Sequence, residues 1–157
     1  MCIRDSPRLV RGLVLVTPVP ASGVPLGPDV YGTFDDSAGN PGLLNAILGM
    51  ATRMLTDEDR AALVEFALSV DATAMRESLR AWTEGGFADR LHEVVAPTHV
   101  IATDDPFLGP EFLQAAVVDP IGDATLHHLS GPGHYPMWED RSGTRSLLVS
   151  LLAELHG

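Results

Sequence analysis

Leu129–Asp140 reads LSGPGHYPMWED. The stretch opens on Gly and Pro breakers and holds one histidine, His134, between Gly133 and Tyr135. Imidazole is the side chain whose ordinary pKa lies in the neutral range, so a histidine on a tight loop is a candidate proton carrier. The flanks fix its setting. Ala124–Leu129 (ATLHHL) reads as a strand. Thr144–His156 puts Leu147, Leu148, Leu151, Leu152 and Leu155 on one helical face. The histidine thus lies on a strand-to-helix connection.

Working outward, Ala96–Ala102 (APTHVIA) is a second buried strand, and Gly109-Pro110 opens a helix to about Val117. Leu13–Val16 (LVLV) is a continuous apolar run stopped by Thr17-Pro18, which suggests a strand covered on both faces. The stretch from 20 to 42 is crowded with Pro, Gly, Ser and Asp and reads as a long loop. Residues 43–93 read as helices. Asn40-Pro41, Thr56 and Asp71 or Thr73 offer starts, and Gly85-Gly86 offers a break before a short helix through Leu91. Strands alternating with helices predict an α/β fold: a partial parallel sheet of three strands with helical crossovers and an inserted helical cap. So small a sheet leaves one edge bare, so a missing N-terminal half is expected. Met1–Ser6 matches nothing that follows and reads as a non-native tail.

The 157 residues carry 21 acidic and 10 basic side chains, a net charge of −11. Such a surface repels nucleic acid and anionic lipid, and no apolar run approaches a membrane span. Every basic residue is arginine, which excludes lysine nucleophiles and Schiff bases. The single cysteine, Cys2, forms no intrachain disulfide and fits a reducing, cytoplasmic setting. His127 and His128 are adjacent on a strand and point to opposite faces, while His92 and His99 lack ligand spacing; no metal is expected.

Gly133, His134, Pro136 and Glu139 resemble the Gly-His-x-Pro-x-x-Glu signature around the catalytic histidine of α/β-hydrolases. Thr98–Pro106 (THVIATDDP) resembles that family's strand ending in Gly-x-x-Asp, although Ala102 stands where the glycine would be. Counting three onward names Asp105 as the acid, with Asp104 as runner-up. In this resemblance the glycine before His134 lets the loop turn tightly, and the aspartate accepts the imidazole Nδ1 proton and fixes its tautomer. The order acid then histidine is also the family's. The core would be 7–42 plus 94–157, with 43–93 as cap. Trp138, Tyr135, Trp82 and Met54 are pocket candidates.

The resemblance also implies a nucleophile in a Gly-x-Ser-x-Gly elbow, and none of the nine serines has that context. Ser22 lies in a Pro-rich loop, and Ser130 lies within the histidine loop itself. The expectation is therefore a C-terminal fragment of a cofactor-free hydrolase of small esters, lactones or related bonds, inactive alone, with no nucleophile. The rival reading is a non-catalytic binding or signalling module on the same fold.

Overall fold

In the computed structural model, residues 9–155 are described; the tail 1–6, Cys2 and the end of the last helix at His156 lie outside them. Three strands form one parallel sheet in the order β1 (Leu13–Val16), β2 (Thr98–Thr103), β3 (Ala124–Leu129). The register sets Leu13 beside Thr98 and Thr98 beside Ala124. The α/β class, the parallel pairing and the inserted helices are as the periodicity predicts. The outer edge of β1 pairs with no strand among the described residues, and its four residues are half-buried.

β2 is the spine. Val100, Ile101, Ala102 and Thr103 are all fully buried. Alternation sends Val100 and Ala102 to one face, where they join Leu91, Leu108, Leu113, Val117 and Ile121. Ala102 packs inside this cluster, so the methyl that departs from the expected glycine fills core volume.

Between β1 and β2 the chain forms α1 (Pro28–Asp35), α2 (Pro41–Ala51), α3 (Asp57–Leu68) and α4 (Ala72–Glu84), then a 3-10 turn over Ala88–Glu93. The predicted starts hold locally. The Asn40, Thr56 and Asp71 side chains each accept N–H groups of the first turn. Helix α1 lies where the sequence predicts loop. Pro28 at its first position presets φ, and Phe34 packs edge-on to Trp82 of α4 with ring centroids 5.3 Å apart. That tertiary contact outweighs the weak local propensity of PDVYGTFD. After β2 come α5 (Pro110–Leu113), which continues as a π-turn over Gln114–Val118, then β3, α6 (Pro136–Glu139) and α7 (Arg141–Glu154). Helix α7 starts three residues before the predicted Thr144, because the Asp140 side chain caps it through Gly143 N–H at 2.9 Å.

Leu113 is fully buried and Phe66 is 71% exposed. Leu113→Ala is expected to lower unfolding free energy in urea by about 2–5 kcal/mol, through lost burial and an unfilled cavity. Phe66→Ala should stay within about 0.5 kcal/mol of the parent. Equal losses would refute this division of core from surface.

Candidate active site

The strand ends deliver the chemistry. β2 runs directly into Asp104 and Asp105, and β3 into Ser130 and the histidine loop. Being parallel neighbours, the two strands end at one edge of the sheet. His134 Nδ1 lies 2.7 Å from Asp105 Oδ2. The Asp105 side chain is wholly buried, and its other oxygen accepts Phe107 N–H at 2.8 Å. A buried carboxylate on Nδ1 fixes the proton there and leaves Nε2 as the free basic nitrogen. The His134 side chain keeps 29% exposure, and the residue lines an apolar cavity.

Asp104 turns the other way. Its Oδ1 meets His128 Nε2 at 2.8 Å, and its Oδ2 accepts Gly131 N–H at 2.8 Å and the Ser130 hydroxyl at 3.2 Å. The Gly131 amide first, and the His128 side chain second, hold the Asp104 carboxyl below the usual carboxylate range. Asp105, and not the runner-up Asp104, is thus the carboxylate at the imidazole.

The histidine loop is stitched to its surroundings through its backbone. His134 N–H donates to Ala51 O at 2.8 Å, Thr103 Oγ1 to Gly133 O at 2.8 Å, and Asp104 N–H to Pro132 O at 3.0 Å. Thr17 Oγ1 donates to His134 O at 3.1 Å. Thr17 has φ 41°, a costly backbone for a β-branched residue, and its N–H is tied to Ile101 O. Gly133 serves by its lack of a side chain and not by an unusual turn. A Cβ there would collide with the Ala51 carbonyl and the Thr52 backbone, whereas the positive φ of the loop, 114°, belongs to Gly131.

Glu139 closes the loop on itself and onto the helical insert. Its Oε2 accepts Arg53 N–H at 2.6 Å, Met54 N–H at 2.8 Å and Gly133 N–H at 3.0 Å, and its Oε1 accepts Tyr135 N–H at 3.1 Å.

The cavity beside His134, of about 190 Å³, is lined among others by Val24, Leu26, Phe34, Ile47, Trp82 and Tyr135. Of the pocket candidates, Trp82 and Tyr135 line it. Met54 is 53% exposed and stands against Gly131, and Trp138 lies beneath the Arg141 guanidinium at 5.2 Å. Phe34 and Leu26 were missed because the stretch 20–42 reads as loop; the crowding of a long loop near the site is the signal that could have found them. His127 Nε2 meets His99 Nδ1 on the neighbouring strand at 3.0 Å, while His128 meets Asp104, so the adjacent pair faces opposite ways. No group of three or more His, Cys, Asp or Glu among the described residues is arranged to hold a metal.

The reading of the serines needs correction. Ser130 is set aside in the sequence because it sits in the histidine loop, and from that follow an absent nucleophile and an inactive fragment. The structure places Ser130 directly after β3, at the same sheet edge as Asp105 and His134, bonded to the carboxylate next to the acid. A serine hydroxyl therefore belongs to the cluster, and the reading of a fragment without a nucleophile is overturned.

No family model and no curated protein matches the chain. Solved structures do. The bromoperoxidase from Bacillus anthracis superposes with TM-score 0.78 at 14% identity, over 90% of this chain and 58% of its own. The esterase from Exiguobacterium antarcticum gives 0.80 at 15% identity, over 92% and 57%. MGS-M2, an alpha/beta hydrolase enzyme from a Medee basin deep-sea metagenome library, gives 0.73 at 16% identity, over 96% and 59%. At such identities the likeness is one of fold. The chain spans somewhat over half the length of these structures.

Glu139→Gln replaces one accepting oxygen with an amide that donates, so at least one of the four N–H groups loses its partner. A stability loss of about 1–3 kcal/mol is expected in urea unfolding. Glu139→Ala should lose more, and no loss in either variant would refute the anchoring role. A second expectation concerns His127, whose pKa is lowered by burial and then by His99. The unfolded chain then binds the proton more readily than the folded one. Stability should fall as pH drops through the ordinary histidine value, and His127→Gln should flatten that fall. Parallel pH curves for the two proteins would refute it.

Proposed function

We propose that the chain is a serine-hydrolase-type esterase acting on small, largely apolar esters or related acyl compounds. The observation that carries this is the His134–Asp105 pair, 2.7 Å apart, with its carboxylate wholly buried and its imidazole on an apolar cavity. The fold shared with an esterase and an alpha/beta hydrolase supports the same reading.

In this reading His134 Nε2 takes the proton of the attacking hydroxyl as its oxygen bonds to the substrate carbonyl carbon. Asp105 keeps the Nδ1 proton and stabilises the imidazolium. The same proton then passes to the leaving alcohol as the carbonyl re-forms, and water repeats the cycle on the acyl group. Ser130 is the serine of the cluster and the candidate for the hydroxyl. To serve, it exchanges its bond to Asp104 for one to the imidazole. No helix among the described residues is long and apolar enough to cross a membrane, which fits a substrate met in water.

A second reading, a binding module on the same fold, draws on one observation: the Ser130 hydroxyl is held by Asp104 and not by His134. Activity and labelling separate the two. With p-nitrophenyl acetate, His134→Ala should fall to the buffer rate, and Asp105→Asn should lose about 10⁴-fold in kcat, because the tautomer is no longer held. A fluorophosphonate should label Ser130, seen in the mass of its peptide, and Ser130→Ala should abolish both labelling and turnover. A protein inert to ester and label is a binder, and labelling at another serine removes Ser130 from the role.

A further inference from the structure

The cavity beside His134 is almost entirely hydrocarbon. Val19, Val24, Leu26, Phe34, Ile47, Ala51, Trp82, Phe107 and Leu108 contribute carbon, apart from the indole nitrogen of Trp82. The remaining polar side chains on its wall are His134 and Tyr135. Tyr135 is half-buried, and its phenol makes no hydrogen bond to another described residue, so the donor is open to a ligand. The ring is also well fixed. It stands edge-on to the His134 imidazole at 90°, with centroids 5.0 Å apart. Its backbone N–H is held by Glu139 at 3.1 Å, and the next residue, Pro136, is buried. A rigid donor left unpaired on an apolar wall is what a pocket uses to orient a ligand.

We propose that Tyr135 is the specificity-determining donor of this pocket, giving its phenolic hydrogen to an acceptor oxygen on the substrate. The inference rests on the hydrolase reading above and narrows it. The substrate class becomes small apolar acyl compounds with a second oxygen, such as a keto or ether group, within the acyl or alcohol part. The donor stays charged with its proton across the neutral range, since burial and then the Asp105 carboxylate push the phenol above the ordinary tyrosine value. Selectivity follows from the same physics. A substrate without the oxygen displaces water from the phenol and offers no acceptor in return, whereas one with it satisfies both groups.

The test compares the full-length chain with Tyr135→Phe, which keeps the ring. Two esters of matched size serve as substrates, one with a keto oxygen in the acyl chain and one all-hydrocarbon. The variant should lose about tenfold in kcat/KM on the keto ester, the worth of one hydrogen bond, and under twofold on its partner. Equal change on both, or none, overturns the proposal. Binding of 2-pentanone is followed in parallel by NMR titration, which needs no turnover. The parent should bind it about tenfold more tightly than the variant. An unchanged Kd overturns the Tyr135 role even where esters are hydrolysed. Tight, Tyr135-dependent binding without hydrolysis keeps the donor and refutes the hydrolase reading instead.

Discussion

Four backbone N–H groups converge on the Glu139 carboxylate, two from the histidine loop and two from the turn that leaves α2. A carboxylate offers about four acceptor directions, so this one is close to saturated. Together they tie the helical insert to the histidine loop through one side chain. Remove it and Gly133 no longer has reason to press against Ala51 and Thr52, the approach that only a glycine permits. His134 N–H donating to Ala51 O belongs to the same seam. The position of the imidazole is therefore fixed from the insert side as much as from the sheet side.

From the sheet side the control is β2. A fully buried strand cannot shift its register without turning its apolar residues outward, so the residues at its end are placed firmly. Asp104 and Asp105 follow it at a bend and meet different partners. One takes the imidazole of the loop that follows β3. The other takes His128, the Ser130 hydroxyl and the Gly131 amide from the end of β3 itself. Thr103, just before them, holds Gly133 O. The last residue of β2 and the two aspartates that follow it thus set both the carboxylate at the imidazole and the path of the histidine loop.

The pair Asp105 and His134 was legible through its likeness to the α/β-hydrolase acid and histidine signatures, and the spacing agrees: two parallel strands, each followed by a short loop, bring residues 105 and 134 to one edge. Capping residues made the helices legible too, since Asn40, Thr56 and Asp71 act within one turn of themselves. What escaped depends on contacts distant in sequence. Helix α1 is supported by Phe34 against Trp82, 48 positions away, and no local pattern announces it. Met54 and Trp138 look like pocket residues by type and position. The first instead lies exposed beside Gly131 and the second under Arg141, whose guanidinium reaches Asp59 at 2.6 Å. Ser130 was discarded by a motif rule. A rule about sequence neighbours says nothing of a serine that reaches the site because its strand ends there.

The remaining question is why two carboxylates are adjacent when one would orient the imidazole. Asp105 is buried and has one imidazole and one amide to satisfy it. Asp104 is partly exposed and holds its negative charge through Gly131 and His128. The Ser130 hydroxyl is thereby bound to an ionised acceptor. The two carboxylates thus divide the loop between them: Asp105 takes the imidazole, and Asp104 takes the hydroxyl and amide that precede it.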